Sequence, residues 1–166
     1  MRWAWILVLA LPCCGAEPDS PLDPAGCGVV LSPDPELADV TRKWAADWSV
    51  ALPECDIRLG ESGIPVYAAE DLTGADGERR CGQTFNEHRG GTFSRALEVR
   101  VDTTPTGDCA GWGYTLGHEI GHALGVHGHV DDETSLLSNI EAGRAYTLDA
   151  VSIAFAREQL GLNAPE

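Results

Sequence analysis

The chain has 166 residues, six cysteines and a formal charge of −15, from 26 acidic residues against 11 Lys and Arg. That length suits one domain with its own core, and that sign repels phosphate and anionic lipid, which excludes nucleic-acid binding as a default role. Hydrophobic residues at 43% and charged residues at 22% lie near globular averages and exclude wholesale disorder.

Residues 1–14 read as a signal peptide, with Arg2 ahead of an apolar run from Trp3 to Leu11 that is too short to span a bilayer. The run ends in Leu11-Pro12-Cys13-Cys14-Gly15, which resembles a bacterial lipoprotein signal, and the resemblance makes Cys14 the lipidated first residue. Ordinary cleavage near Ala16, with free secretion, is the alternative. Either way the chain is exported, as a cell-envelope lipoprotein or a secreted protein. Residues 15–26 include Glu17 to Ala25 (EPDSPLDPA), proline-rich and acidic, and read as an extended tether to a folded domain at 27–166. Cys27, Cys55, Cys81 and Cys109 remain, and four cysteines in an exported domain predict two disulfides, in one of three pairings. None of the four stands in a C-x-x-C spacing, which argues against a thiolate zinc site.

Val29 to Leu31 predicts a strand closed by Ser32-Pro33-Asp34-Pro35. Leu37, Val40, Trp44, Ala45 and Trp48 form the apolar stripe of an amphipathic helix. Ile57 to Leu59 and Ile64 to Ala69 predict two further strands. Thr73 to Gly91 is polar and turn-rich and reads as a surface loop pinned through Cys81, with His88 exposed. Asp71, Asp76 and Glu78 carry carboxylates for a structural calcium, but their spacing completes no calcium loop and favours a solvated acidic loop. Leu97, Val99 and Val101 alternate with Glu98, Arg100 and Asp102, which predicts a strand with those three residues on its buried face.

Four of the five histidines fall within Gly117-His118-Glu119-Ile120-Gly121-His122-Ala123-Leu124-Gly125-Val126-His127-Gly128-His129. On a helix, His118 and His122 project from one face a turn apart and can chelate one ion, with Glu119 close enough to hold a water on it. Leu116, Ile120, Ala123 and Leu124 supply the apolar face, and Gly125 is placed to end the helix.

This run resembles the metzincin zinc-endopeptidase signature H-E-x-x-H-x-x-G-x-x-H, and HEIGHALGV is most similar to its matrixin branch. The helix of Trp44 and Trp48 with CDIRL after it, LEVRVD as an antiparallel edge strand, and a closing helix from Leu148 to Leu160 are similar to matrixin elements. In that last helix Leu148, Val151, Ile153, Phe155 and Leu160 supply apolar positions and Gly161 a stop. The resemblance implies an α+β fold: a zincin-like twisted mixed sheet with an antiparallel edge strand, an active-site helix and a C-terminal helix. The family's third histidine falls on Gly128, so the third ligand lies among His129, His127, Asp131 and Asp132. Counting back eight residues from Leu137, which stands at the family's turn methionine, favours His129. Cys27-Gly28-Val29 faintly resembles the family's propeptide switch, but disulfide use is the better reading and no zymogen of that type is expected.

The implied activity is zinc-dependent endopeptidase, with one zinc on His118, His122 and His129, a zinc-activated water, and Glu119 as general base. Leu97 to Val101 is the expected docking rail for substrate, and Ile140 to Tyr146 the wall of the pocket beyond the scissile bond. The expected partner is a peptide or protein substrate; nucleic acid is excluded, membrane contact is confined to the anchor on Cys14, and the chain reads as a monomer. A non-catalytic zincin-like binding domain is the competing reading.

Overall fold

The computed structural model describes residues 27–104, 109, 111–139 and 145–162. The signal peptide, Cys14 and the tether lie outside the described residues, as do residues 140–144 of the expected pocket wall. In chain order the elements are β1 (Val29–Pro33), α1 (Ala38–Ala51), β2 (Ile57–Leu59), β3 (Ile64–Ala69), β4 (Gly82–Arg89), β5 (Thr92–Asp102), α2 (Trp112–Ala123) and α3 (Ala150–Gln159). The five strands form one mixed sheet in the order β2-β1-β3-β5-β4. β1 runs parallel to β2 and β3, β3 parallel to β5, and β4 antiparallel to β5. Helix α1 packs on β1 and β2, and α2 on β4 and β5, which makes an α+β fold.

Three expectations fail between residues 82 and 102. Gly82 to Arg89 is a strand and not part of a surface loop. It pairs with β5 through a hairpin whose Gly90 and Gly91 both have positive φ, 61° and 85°, the conformation a two-residue turn requires. Its apolar pattern is weak because Phe85 is its one large apolar residue, so pairing and not periodicity defines it. The sheet edge is therefore β4, and β5 is an interior strand. Leu97 is also not buried. Phe85 pairs with Glu98 but Asn86 with Ala96, so Leu97 is the extra residue of a bulge. Val99 and Val101 stay buried, whereas before the bulge Ala96 turns inward and Leu97 is 45% exposed.

The core joins the sheet to α1 and α2 through Trp44 and Trp48. Trp48 Nε1 donates to the carbonyl of Gly117 at 2.9 Å and Trp44 Nε1 to that of Gly113 at 2.5 Å. Such close approach requires small residues on α2: a Cβ on Gly117 would lie 2.5 Å from Trp44 Cδ2, and one on Gly121 3.0 Å from Trp48 Cζ2. Helix α3 begins at the Asp149 cap, whose side chain accepts from Ser152 N. The residues it buries are Ser152, Ala156 and Arg157, while Val151 is 44% exposed. Of the apolar positions expected here, Leu148, Ile153, Phe155 and Leu160 pack partly buried against the core. Arg157 makes a two-pronged ion pair with Glu54, at 2.6 and 3.1 Å, fastening α3 to the loop before β2. The disulfides join Cys27 to Cys55 and Cys81 to Cys109, with Cα separations of 4.9 and 5.0 Å.

Asp102, at the end of β5, is fully buried. Burial alone would raise its pKa, but bonds from Thr104 and the Arg79 guanidinium outweigh this and hold it below the ordinary carboxylate value. Because the folded-state pKa is depressed, this carboxylate stabilises the fold above about pH 4 and loses that contribution as pH falls through the folded value. Asp102→Asn is expected to lower the unfolding midpoint at pH 7, with the gap to wild type shrinking below pH 4; a gap independent of pH would contradict the assignment. Gly117→Ala is expected to cost about 1–3 kcal/mol in urea unfolding, because the Trp44 ring must move. An unchanged midpoint would refute the close approach.

Candidate metal centre

Helix α2 carries the first two histidines on adjacent turns, and its C-terminus is built to turn the chain back. Gly125 has φ of 99°; its N–H reaches the His122 carbonyl at 3.0 Å, and Val126 N–H reaches that of Gly121 at 3.2 Å. This is the glycine-terminated cap expected from the sequence. It leaves the Val126 carbonyl 2.8 Å from His122 Nδ1, while His118 Nδ1 lies 2.7 Å from the Leu136 carbonyl. Gly128, with φ of 83°, then redirects the backbone between His127 and His129.

The consequence is that the two histidines part company. His129 Nε2 comes within 3.3 Å of His118 Nε2, and His118 and His122 Nε2 stand 2.9 Å apart. Ligand atoms of His118, His122 and His129 all lie within 4.8 Å of one another, so the three could hold a metal ion. His127 instead packs against Phe93 and His88, with ring centroids 5.1 and 5.5 Å away, and its buried Nε2 has no hydrogen-bond partner among the described residues. Asp132 is occupied in its own turn, accepting from Thr134 N and Oγ1, and Asp131 is exposed. His88 is exposed, as expected, although on a strand.

A neutral imidazole has one N–H, and a carbonyl can only accept. The Nδ1 atoms of His118 and His122 therefore carry the hydrogens, and their Nε2 lone pairs face each other. A proton between them is disfavoured: burial, reinforced by the neighbouring His122, pushes His118 down to about 3, and burial lowers His122 and His129 as well. Neutral rings with converging lone pairs are the protonation state a metal needs.

The turn that sets His118 is itself braced from α3. Ser135 Oγ donates to Asp149 Oδ1 at 2.6 Å and meets Ser152 Oγ at 2.7 Å, and Ser152 Oγ accepts from Leu137 N at 3.2 Å. Leu137 is fully buried, and its Cδ2 would lie 2.9 Å from a Cβ on Gly121, so it packs against α2 in the core. Tyr146 is buried against Tyr114.

Glu119, next to His118, is 6% exposed, and burial raises its carboxyl to about 7 against the opposing bonds from Thr84. Thr84 Oγ1 lies 2.6 Å from Glu119 Oε2 and 2.9 Å from its carbonyl. Thr84 and Gly82 are site residues that sequence reasoning missed, since they fall in the segment read as a loop. The cleft holding the three imidazoles and Glu119 has a volume of about 760 Å³ and is bordered by Arg79, Arg80 and Asn139. A larger cavity of about 940 Å³, lined by Phe93, Leu97 and Leu160, contains none of the three. Among the described residues, Asp71, Asp76 and Glu78 form no metal cluster. Asp71 faces Arg79 at 3.8 Å, Glu78 faces Arg80 at 3.9 Å, and Asp76 is hydrogen-bonded to Arg80.

The chain matches no protein-family model and no curated protein.

Titration of the metal-free protein with Zn²⁺ is expected to show one tight site that His129→Ala weakens by at least about 100-fold and His127→Ala leaves unchanged. Loss of affinity in His127→Ala alone would overturn the ligand set.

Proposed function

We propose that this protein is an exported zinc endopeptidase with a metzincin, matrixin-like catalytic domain. The observation that carries the reading is the convergence of His118, His122 and His129 beside a buried carboxylate, Glu119, at the edge of a sheet. Three neutral imidazoles without thiolate suit zinc, and tetrahedral zinc with bonds of 2.0–2.1 Å would hold its nitrogen ligands about 3.3 Å apart, near the separations within the triad. The carbonyls of Leu136 and Val126 fix the two helical rings in the ligating tautomer, as outer partners of zinc-bound histidines do.

Zinc bound there supplies a Lewis acid that polarises a peptide carbonyl and acidifies a water. With the metal in place, Glu119 would take one proton from the attacking water and give it to the leaving nitrogen as the C–N bond breaks, so that the products are a carboxylic acid and an amine. Substrate in extended form is expected along β4, whose outer backbone edge is unpaired among the described residues, and not along β5. That transfers the expected rail to the strand that also touches Glu119.

Two disulfides fit an oxidising compartment. No helix among the described residues is long and apolar enough to cross a membrane. Attachment through a lipid on Cys14 is the accompanying proposal. A non-catalytic binding domain would give Glu119 no role.

The test is cleavage of a peptide library by the zinc-loaded protein and by Glu119→Ala. The variant is expected to keep its zinc and lose about 10²–10⁴ in rate. A wild type that cleaves nothing, or a variant as active as wild type, would refute the proposal.

A further inference from the structure

Glu119 is held by the edge strand as well as by its own helix. Gly82 and Thr84 lie two apart on β4 and present the same face to α2. At Gly82 the strand comes so close that a Cβ would stand 2.7 Å from Glu119 Cγ and 2.5 Å from Thr115 Cγ2. At Thr84 the hydroxyl reaches Glu119 Oε2 at 2.6 Å, within the range of a charge-assisted O–H···O⁻ bond, and the Glu119 carbonyl at 2.9 Å. A hydroxyl has one hydrogen, and the shorter contact to the carboxylate is the stronger claim on it. The start of β4 is itself fixed next to α2, since Cys81 is bonded to Cys109, two residues before the Gly111 cap.

We propose that Thr84 is a positioning residue for the reaction, its hydroxyl holding Oε2 so that the Glu119 carboxylate keeps one orientation beside the histidines. This rests on the hydrolase reading and adds to it a contact from outside the histidine motif. An unrestrained carboxylate rotates between geometries of which only some reach a proton on bound water, so the hydroxyl acts on the chemical step and not on substrate affinity. Substrate along β4 would pair with the outer main chain of that strand, whereas the Thr84 hydroxyl is turned to Glu119 on α2 and makes no substrate contact.

Thr84→Val keeps the shape and removes the donor, whereas Thr84→Ser keeps the donor. The valine variant is expected to lose about tenfold or more in kcat, with KM and zinc stoichiometry unchanged, and serine to restore most of the loss. A second reading uses the metal-free protein and needs no catalysis. Thr84→Val is expected to lower the thermal midpoint by about 3 °C when Glu119 is present and by clearly less in the Glu119→Ala background. An unchanged kcat in Thr84→Val, or a serine variant as slow as valine, would overturn the proposal. If wild type cleaves no peptide, the hydrolase reading fails, and the thermal cycle then decides the contact: equal shifts in both backgrounds would overturn it too.

Discussion

Two imidazole nitrogens, Nε2 of His118 and of His122, face each other at 2.9 Å because each ring commits its only N–H to a backbone carbonyl on its far side. Buried lone pairs in that arrangement repel, and rings held near neutrality offer no proton to relieve them. A cation between the nitrogens would turn that repulsion into shared coordination. Two backbone turns and the start of α3 hold the arrangement in place. The Val126 carbonyl is placed by the glycine cap of α2, and the Leu136 carbonyl by a turn that Asp149 and Ser152 hold from the start of α3.

The same economy of space operates on the other side of α2. Gly117 and Gly121 admit the two tryptophans of α1, and Gly82 admits the helix to the sheet edge. Larger residues at any of these positions would push α2 away from a neighbour and carry two ligands and Glu119 with it. The Glu54 to Arg157 ion pair and the two disulfides tie α3, β2 and the start of β4 to their neighbours. Exposed ion pairs such as Arg42 to Asp39 add little by comparison, being open to water and salt.

The centre of the fold was legible because its signals are local. The 3-4 spacing of Trp44, Ala45 and Trp48 marks α1, the glycine at 125 marks the end of α2, and four-residue spacing puts His118 and His122 together. What resisted reading depends on pairing between distant residues. β4 has almost no apolar alternation, although Gly90-Gly91 is a hairpin signal that could have exposed it. The bulge at Leu97 inverts a clean period-two pattern, because an extra residue changes the face of everything beyond it. The four cysteines announced disulfides but not their partners. Spacing left His127 and His129 open as third ligands, and the turn at Gly128 separates their directions. Thr84 and Gly82 carry no motif, and their part emerges only when β4 is laid against Glu119.

In the proposed centre, three neutral imidazoles share one ion. X-ray absorption at the zinc edge of the metal-loaded protein measures this directly. It should show one zinc per chain with three imidazole nitrogens at about 2.0–2.1 Å and a single further light ligand. Sulfur at about 2.3 Å, fewer than three imidazoles, or no zinc retained at equimolar concentration would contradict it.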